Sequence, residues 1–193
     1  MSLKKKINKS LKNKWRVRFE TSHPDKDAYD GVVIYDTSDF VALHEEENFE
    51  FDGVVIISKA FIQKIRDNKY DKCCNEIIRQ NGELEKIASP DWIEDCGSIK
   101  QIINSLKDKD IWAGIEIVFE RKKKIKSSFY LGPITHIGEK FFRLKCYDAD
   151  GKWEKEYELL YDEIFRIEFD SNYCNHFNKY MKLKQENGKI RNN

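Results

Sequence analysis

The sequence predicts a mainly β protein with short helices (α+β), built as two tandem copies of a small five-stranded β-barrel with flanking helices. Three observations carry this: an internal repeat at a spacing near 100 residues, apolar residues at alternate positions in strand-sized blocks, and turn chemistry between those blocks. At 193 residues the chain has room for two domains of roughly 80 to 100 residues, near the lower end of common domain sizes. A composition of 40% hydrophobic, 36% charged and 13% aromatic residues excludes a disordered chain.

Strand one is the pair Trp15-Arg16-Val17-Arg18-Phe19-Glu20 and Ile115-Glu116-Ile117-Val118-Phe119-Glu120, apolar at every second position as one buried face requires. Strand two is Tyr29 to Ile34 and Tyr130 to Thr135, and strand three is Phe40 to Leu43 and Phe141 to Leu144. The Tyr, Gly and Phe anchors of these blocks keep a spacing of 101. Between strands two and three, Asp36-Thr37-Ser38-Asp39 and Gly138-Glu139-Lys140 have turn chemistry, so each copy reads as a hairpin. The third block pairs Ile57 to Ile65 with Leu160 to Ile167, one residue shorter in the second copy.

Apolar spacing then changes to the helical three and four in Tyr70 to Ile78 and Tyr173 to Met181, predicting a closing helix for each copy. Ile7 to Lys14 and Ile103 to Lys109 predict a short helix ahead of each strand one. These blocks divide the chain into a first barrel at 1–80, a connector at 81–97, a second barrel at 98–182 and a polar tail at 183–193. Asn81-Gly82, Ser89-Pro90 and Gly97 punctuate the connector, Ser98 can cap the following helix, and Trp92 and Ile93 predict that the connector docks.

The order of a short helix, five strands, a Gly in strand two and an apolar pair closing strand five resembles Sm and Lsm barrels. Gly53-Val54-Val55-Ile56-Ile57-Ser58-Lys59-Ala60-Phe61-Ile62-Gln63-Lys64-Ile65 looks like the family's second motif in spacing. Its Arg-Gly pair, part of an RNA pocket, falls on Ser58-Lys59 here and on Tyr161-Asp162 in the second copy. The base-contacting Asn position carries Phe40, and the first-motif Asp is matched by Asp36 one residue out of register. The resemblance therefore implies a fold without the family's RNA-reading groups. The arrangement is also similar to tandem-barrel proteins of bacteria.

Lys plus Arg number 35 and Asp plus Glu 34, so a net charge of +1 gives no global attraction to nucleic acid or anionic lipid. Apolar runs are strand-sized, and a cytoplasmic protein without membrane association is expected. Five cysteines with no C-x-x-C pair predict reduced thiols, with Cys73 and Cys74 as buried packing residues. The histidines lack metal-ligand spacing, and no phosphate loop, dinucleotide fingerprint or nucleophile elbow occurs. No catalytic residue, metal or cofactor is expected.

Asp148-Ala149-Asp150-Gly151 lacks the closing Glu of a calcium loop and reads as a turn. His44 with Glu45, Glu46 and Glu47 reads as a charged loop between strands three and four, with a hydrolase built on it as a minor alternative. The most distinctive charge is Arg121, Lys122, Lys123, Lys124 and Lys126, followed by Phe129 and Tyr130. These cations, together with Trp153, form the candidate surface. The leading expectation is a non-enzymatic protein that binds a protein partner or its own copies; the alternative is RNA or single-stranded nucleic acid held by loop 121–126.

Overall fold

The alternating blocks become strands and the blocks with three-four spacing become helices. The protein is described by a computed structural model covering residues 2–24, 28–148 and 150–191, with side chains through residue 186. The first half contains α1 (Leu3–Asn13), β1 (Arg16–Thr21), β2 (Ala28–Asp36), β3 (Phe40–Glu47), β4 (Glu50–Ser58), β5 (Ile62–Arg66) and α2 (Lys69–Gln80). The second contains α3 (Ile99–Asp108), β6 (Ala113–Arg121), β7 (Lys124–Gly132), β8 (Ile134–Ile137), β9 (Phe141–Tyr147), β10 (Trp153–Leu160), β11 (Ile164–Phe169) and α4 (Asn172–Arg191). Short 3-10 turns at Lys59–Phe61 and Tyr161–Glu163 precede β5 and β11.

Two closed barrels do not form. The strands make one eight-stranded antiparallel sheet in the order β5-β1-β2-β3-β4-β11-β6-β7 and a separate three-stranded sheet, β10-β9-β8. The reason lies in β4. Its second edge is taken by β11 of the other half, with Arg166 opposite Ile57, Ile167 opposite Ile56, Glu168 opposite Val55 and Phe169 opposite Val54.

The run Val54 to Ile57 is buried on both faces of the sheet, as a central strand requires. Val54 and Ile56 enter a core that includes α3, β6, β9 and β11, whereas Val55 and Ile57 join Ile7, Val17, Phe19 and Leu43 in a second core. Phe165 of β11 belongs to that second core, so the halves share side chains as well as a sheet. Gly53 has φ +73, and an added Cβ would meet the Ser171 backbone, so the seam needs a glycine where β4 approaches the start of α4.

The second half departs from the first at Gly132-Pro133. Gly31 and Gly132 both press strand two against strand three, where an added Cβ would collide with the carbonyl oxygens of His44 and Lys145 respectively. Val32 follows Gly31 and pairs with both Arg16 and His44. Pro133 stands in its place, lacks an N–H, and divides the expected strand into β7 in the large sheet and β8 in the small one. Its carbonyl still accepts the Lys145 N–H at 3.0 Å.

The connector lies against the protein: Ile93 is fully buried, Trp92 packs 5.5 Å from Phe169, and the Tyr35 hydroxyl donates to the Glu94 carbonyl at 2.9 Å. Ser98 caps α3 by accepting from the Gln101 N–H. Helix α4 continues to Arg191, through most of the stretch read as a tail.

Candidate interaction surfaces

The cations of 121–126 lie on a β-hairpin tip. Arg121 pairs with Lys124, and Lys122 and Lys123 fill a two-residue turn with φ of 54° and 61°, the mirror-image geometry that matches strand twist. Arg121, Lys122, Lys123, Lys124 and Lys126 are all exposed. Strand β7 is the last of the large sheet, so beyond the tip one side of its backbone ladder is unpaired. Ile125 and Phe129 are exposed on the same strand.

Trp153 does not join this group. It is half-buried at the start of β10, edge-on to Trp112 (5.8 Å) and Tyr147 (5.9 Å), with Lys145 Nζ 5.0 Å from its ring. Trp112 precedes β6 and the cations follow its end, about 30 Å away at strand rise over 9 residues. The structure therefore separates Trp153 from the hairpin cations.

The His44 cluster is part of β3, not a loop. His44 pairs with Val32 and Val54 and stacks on Phe51 at 5.3 Å, and burial pushes its pKa down. Glu46 is engaged elsewhere, accepting from Arg16 Nε (2.6 Å) and the Phe49 N–H (2.6 Å). Alternation sends Glu45 to the face opposite His44, and Glu46 is taken up by Arg16, so these carboxylates do not converge on the imidazole. Asp148 anchors a hairpin turn, with its carboxylate accepting from the Lys152 N–H at 2.8 Å; Ala149 lies outside the described residues, as do residues 25–27 between β1 and β2.

Cys74, Cys96, Cys146 and Cys174 are buried and unpaired by disulfides, but Cys73 is exposed, because adjacent helical positions face about 100° apart. Among the described residues no group of His, Cys, Asp and Glu has the makings of a metal site. Among them, too, no helix is long and apolar enough to cross a membrane.

No family model, curated protein or solved structure matched the chain.

Two further surfaces escaped sequence reasoning. One is the pair of strand edges left after the seam forms: β5 ends the large sheet and β10 ends the small one. The other is a row of exposed aromatics on α4, Tyr173, Phe177 and Tyr180, beside Phe129. Their spacing of four and three was the available signal, and it was read as helix packing.

Proposed function

We propose that this chain is a non-enzymatic assembly protein whose copies join head to tail through the edges of β5 and β10. The observation that carries the reading is the internal seam. Strand β11 occupies in the second half the place of β5 in the first, each after a 3-10 turn, and β4 likewise corresponds to β10. Within the chain, β4 and β11 already pair. The remaining members of the two equivalent pairs are both sheet edges.

Transferring the seam's register gives the contact between copies. Ser58 and Leu160 both precede a 3-10 turn, so Arg166 opposite Ile57 becomes Lys64 opposite Leu159, Ile167 opposite Ile56 becomes Ile65 opposite Glu158, and Glu168 opposite Val55 becomes Arg66 opposite Tyr157. The last pair sets a guanidinium beside an aromatic ring, a favourable cross-strand contact. Such a contact uses two different surfaces and therefore propagates as a ring or a filament.

Light scattering coupled to size exclusion at tens of micromolar protein tests this. Wild type should elute as an oligomer, and Tyr157→Lys, facing Arg66, should reduce it to monomer without altering the circular dichroism spectrum. A monomeric wild type, or an oligomer indifferent to the substitution, would overturn the reading.

A second reading, polyanion binding at Arg121 to Lys126, is favoured by the exposure of all five cations on one hairpin. It requires a mobility shift with single-stranded RNA or DNA at about 50 mM salt that Ala replacements abolish and added salt weakens steeply. No shift at that salt would sink it.

A further inference from the structure

The strands of the second half part company where β9 ends at Tyr147 while its neighbour β7 runs back to Lys124. The gap is a cleft of about 390 Å³, within the range of small-molecule sites. Its walls are aromatic: Phe129 and Tyr130 from β7, Tyr147 from β9, Tyr157 from β10, and Tyr173 and Phe177 from α4. The rings brace one another in pairs, Tyr130 with Tyr157 at 4.9 Å, Tyr173 with Phe177 at 4.9 Å and Phe129 with Tyr173 at 6.1 Å.

The charge of the lining is one-sided. Among the described residues Asp148 and Glu154 are its only ionisable carboxylates and no Lys or Arg lines it, in a chain whose cations and anions are otherwise balanced. Burial pushes the Cys146 thiol up to about 12 and raises Tyr147 and Tyr173, and the hydrogen bond to Glu154 raises Tyr157, which holds these groups uncharged. Glu154 is positioned by the wall, with its Oε2 accepting from the Tyr157 hydroxyl at 2.8 Å. Ring faces carry negative potential and attract cations, most strongly those with bulky alkyl substituents and a weak hydration shell. The Tyr157 ring already has an ammonium near it, with Lys155 Nζ 5.4 Å from the centroid.

We infer that this cleft binds a small organic cation, an alkylated ammonium whose apolar substituents lie against the rings and whose charge faces Glu154 and Asp148. The hairpin lysines do not contradict this, because they lie at the far end of β7 and outside the lining. Phosphate-bearing ligands fit poorly, since the two carboxylates would repel them. The inference is independent of the strand-edge assembly and survives its failure.

The test is a ligand-observed NMR titration of the full chain with three probes: choline, its uncharged isostere 3,3-dimethylbutan-1-ol, and uridine monophosphate. Choline should bind saturably, and the neutral isostere about tenfold or more weakly, reflecting the cation–π and carboxylate contributions. Glu154→Gln with Asp148→Asn keeps both shapes and hydrogen-bond acceptors, and should weaken choline at least fivefold with the thermal midpoint unchanged. Tyr173→Ala, at an exposed ring, should weaken it by a similar factor. Equal binding of the neutral isostere, preferred binding of uridine monophosphate, absence of choline binding, or indifference to the carboxylate substitutions would each overturn the inference.

Discussion

Arg16 is the most stringent test of how the first half is held together. Its side chain is 5% exposed, yet its guanidinium meets three carboxylates: Glu46 from Nε at 2.6 Å, Asp30 from Nη2 at 2.9 Å and Asp71 from Nη1 at 3.0 Å. Replacement by Ala leaves Asp30 with Arg18 and Asp71 with Arg66, but Glu46, itself 5% exposed, keeps among the described residues only the Phe49 N–H. Breaking a buried pair from one side costs about 3–5 kcal/mol, because the uncompensated charge stays in the protein. An exposed pair such as Arg143 with Glu158 (3.3 Å) contributes about 0–1 kcal/mol and serves as the control.

Urea unfolding followed by circular dichroism at pH 7 should therefore show Arg16→Ala several-fold more damaging than Arg143→Ala. The gap should narrow at pH 4, where the Asp30 carboxylate that Arg16 no longer holds takes up a proton. Burial already pushes the Asp30 carboxyl up against the pull of Arg16, so removing Arg16 raises it further. A loss below about 1 kcal/mol at pH 7, or a loss that does not shrink on acidification, would refute the reasoning.

Other consequences are equally direct. Phe165→Ala, a second-half residue in the first-half core, should cost about 3–5 kcal/mol and lower a single melting transition; two separate transitions would argue against a shared core. Gly132→Ala combines φ +154 with a collision against the Lys145 carbonyl, and should lower the melting temperature far more than Gly82→Ala, where an added Cβ meets nothing within 4 Å. Burial holds the His44 pKa below its ordinary value, so the unfolded chain binds the proton more readily and stability should fall as pH drops through about 6.5. A His44→Gln variant should flatten that part of the pH profile, and an unchanged slope would count against it.

Local structure was legible in the sequence because it depends on neighbours in the chain. Alternation in β1 and β6, turn residues after β2 and three-four spacing in α2 and α4 all lie within a few residues of the positions they govern. Closure was not legible, because it depends on which strand reaches the second edge of β4. The sign was present in Val54 to Ile57, four consecutive apolar residues where a half-exposed barrel strand would alternate, and it marked a strand with a core on each face.

The charged end of β3 was misread for a related reason. Glu46 is tolerated in a strand only because Arg16, 30 residues away in sequence, reaches it. The hairpin cations were visible as a charge run, whereas Trp153 was placed with them although its ring partners are Trp112, just ahead of β6, and Tyr147, at the end of β9 in the smaller sheet. The aromatic cleft is assembled from four elements of the second half, so no single segment announced it.

The paired glycines place an unequal demand on the two strands they join. At Gly31 and Gly132 the obstacle is a carbonyl oxygen, and every amino acid carries one. The facing position can therefore hold histidine in one half and lysine in the other, whereas the glycine admits no replacement. The constraint falls on one strand of each pair, and the two halves share a position where a side chain is forbidden.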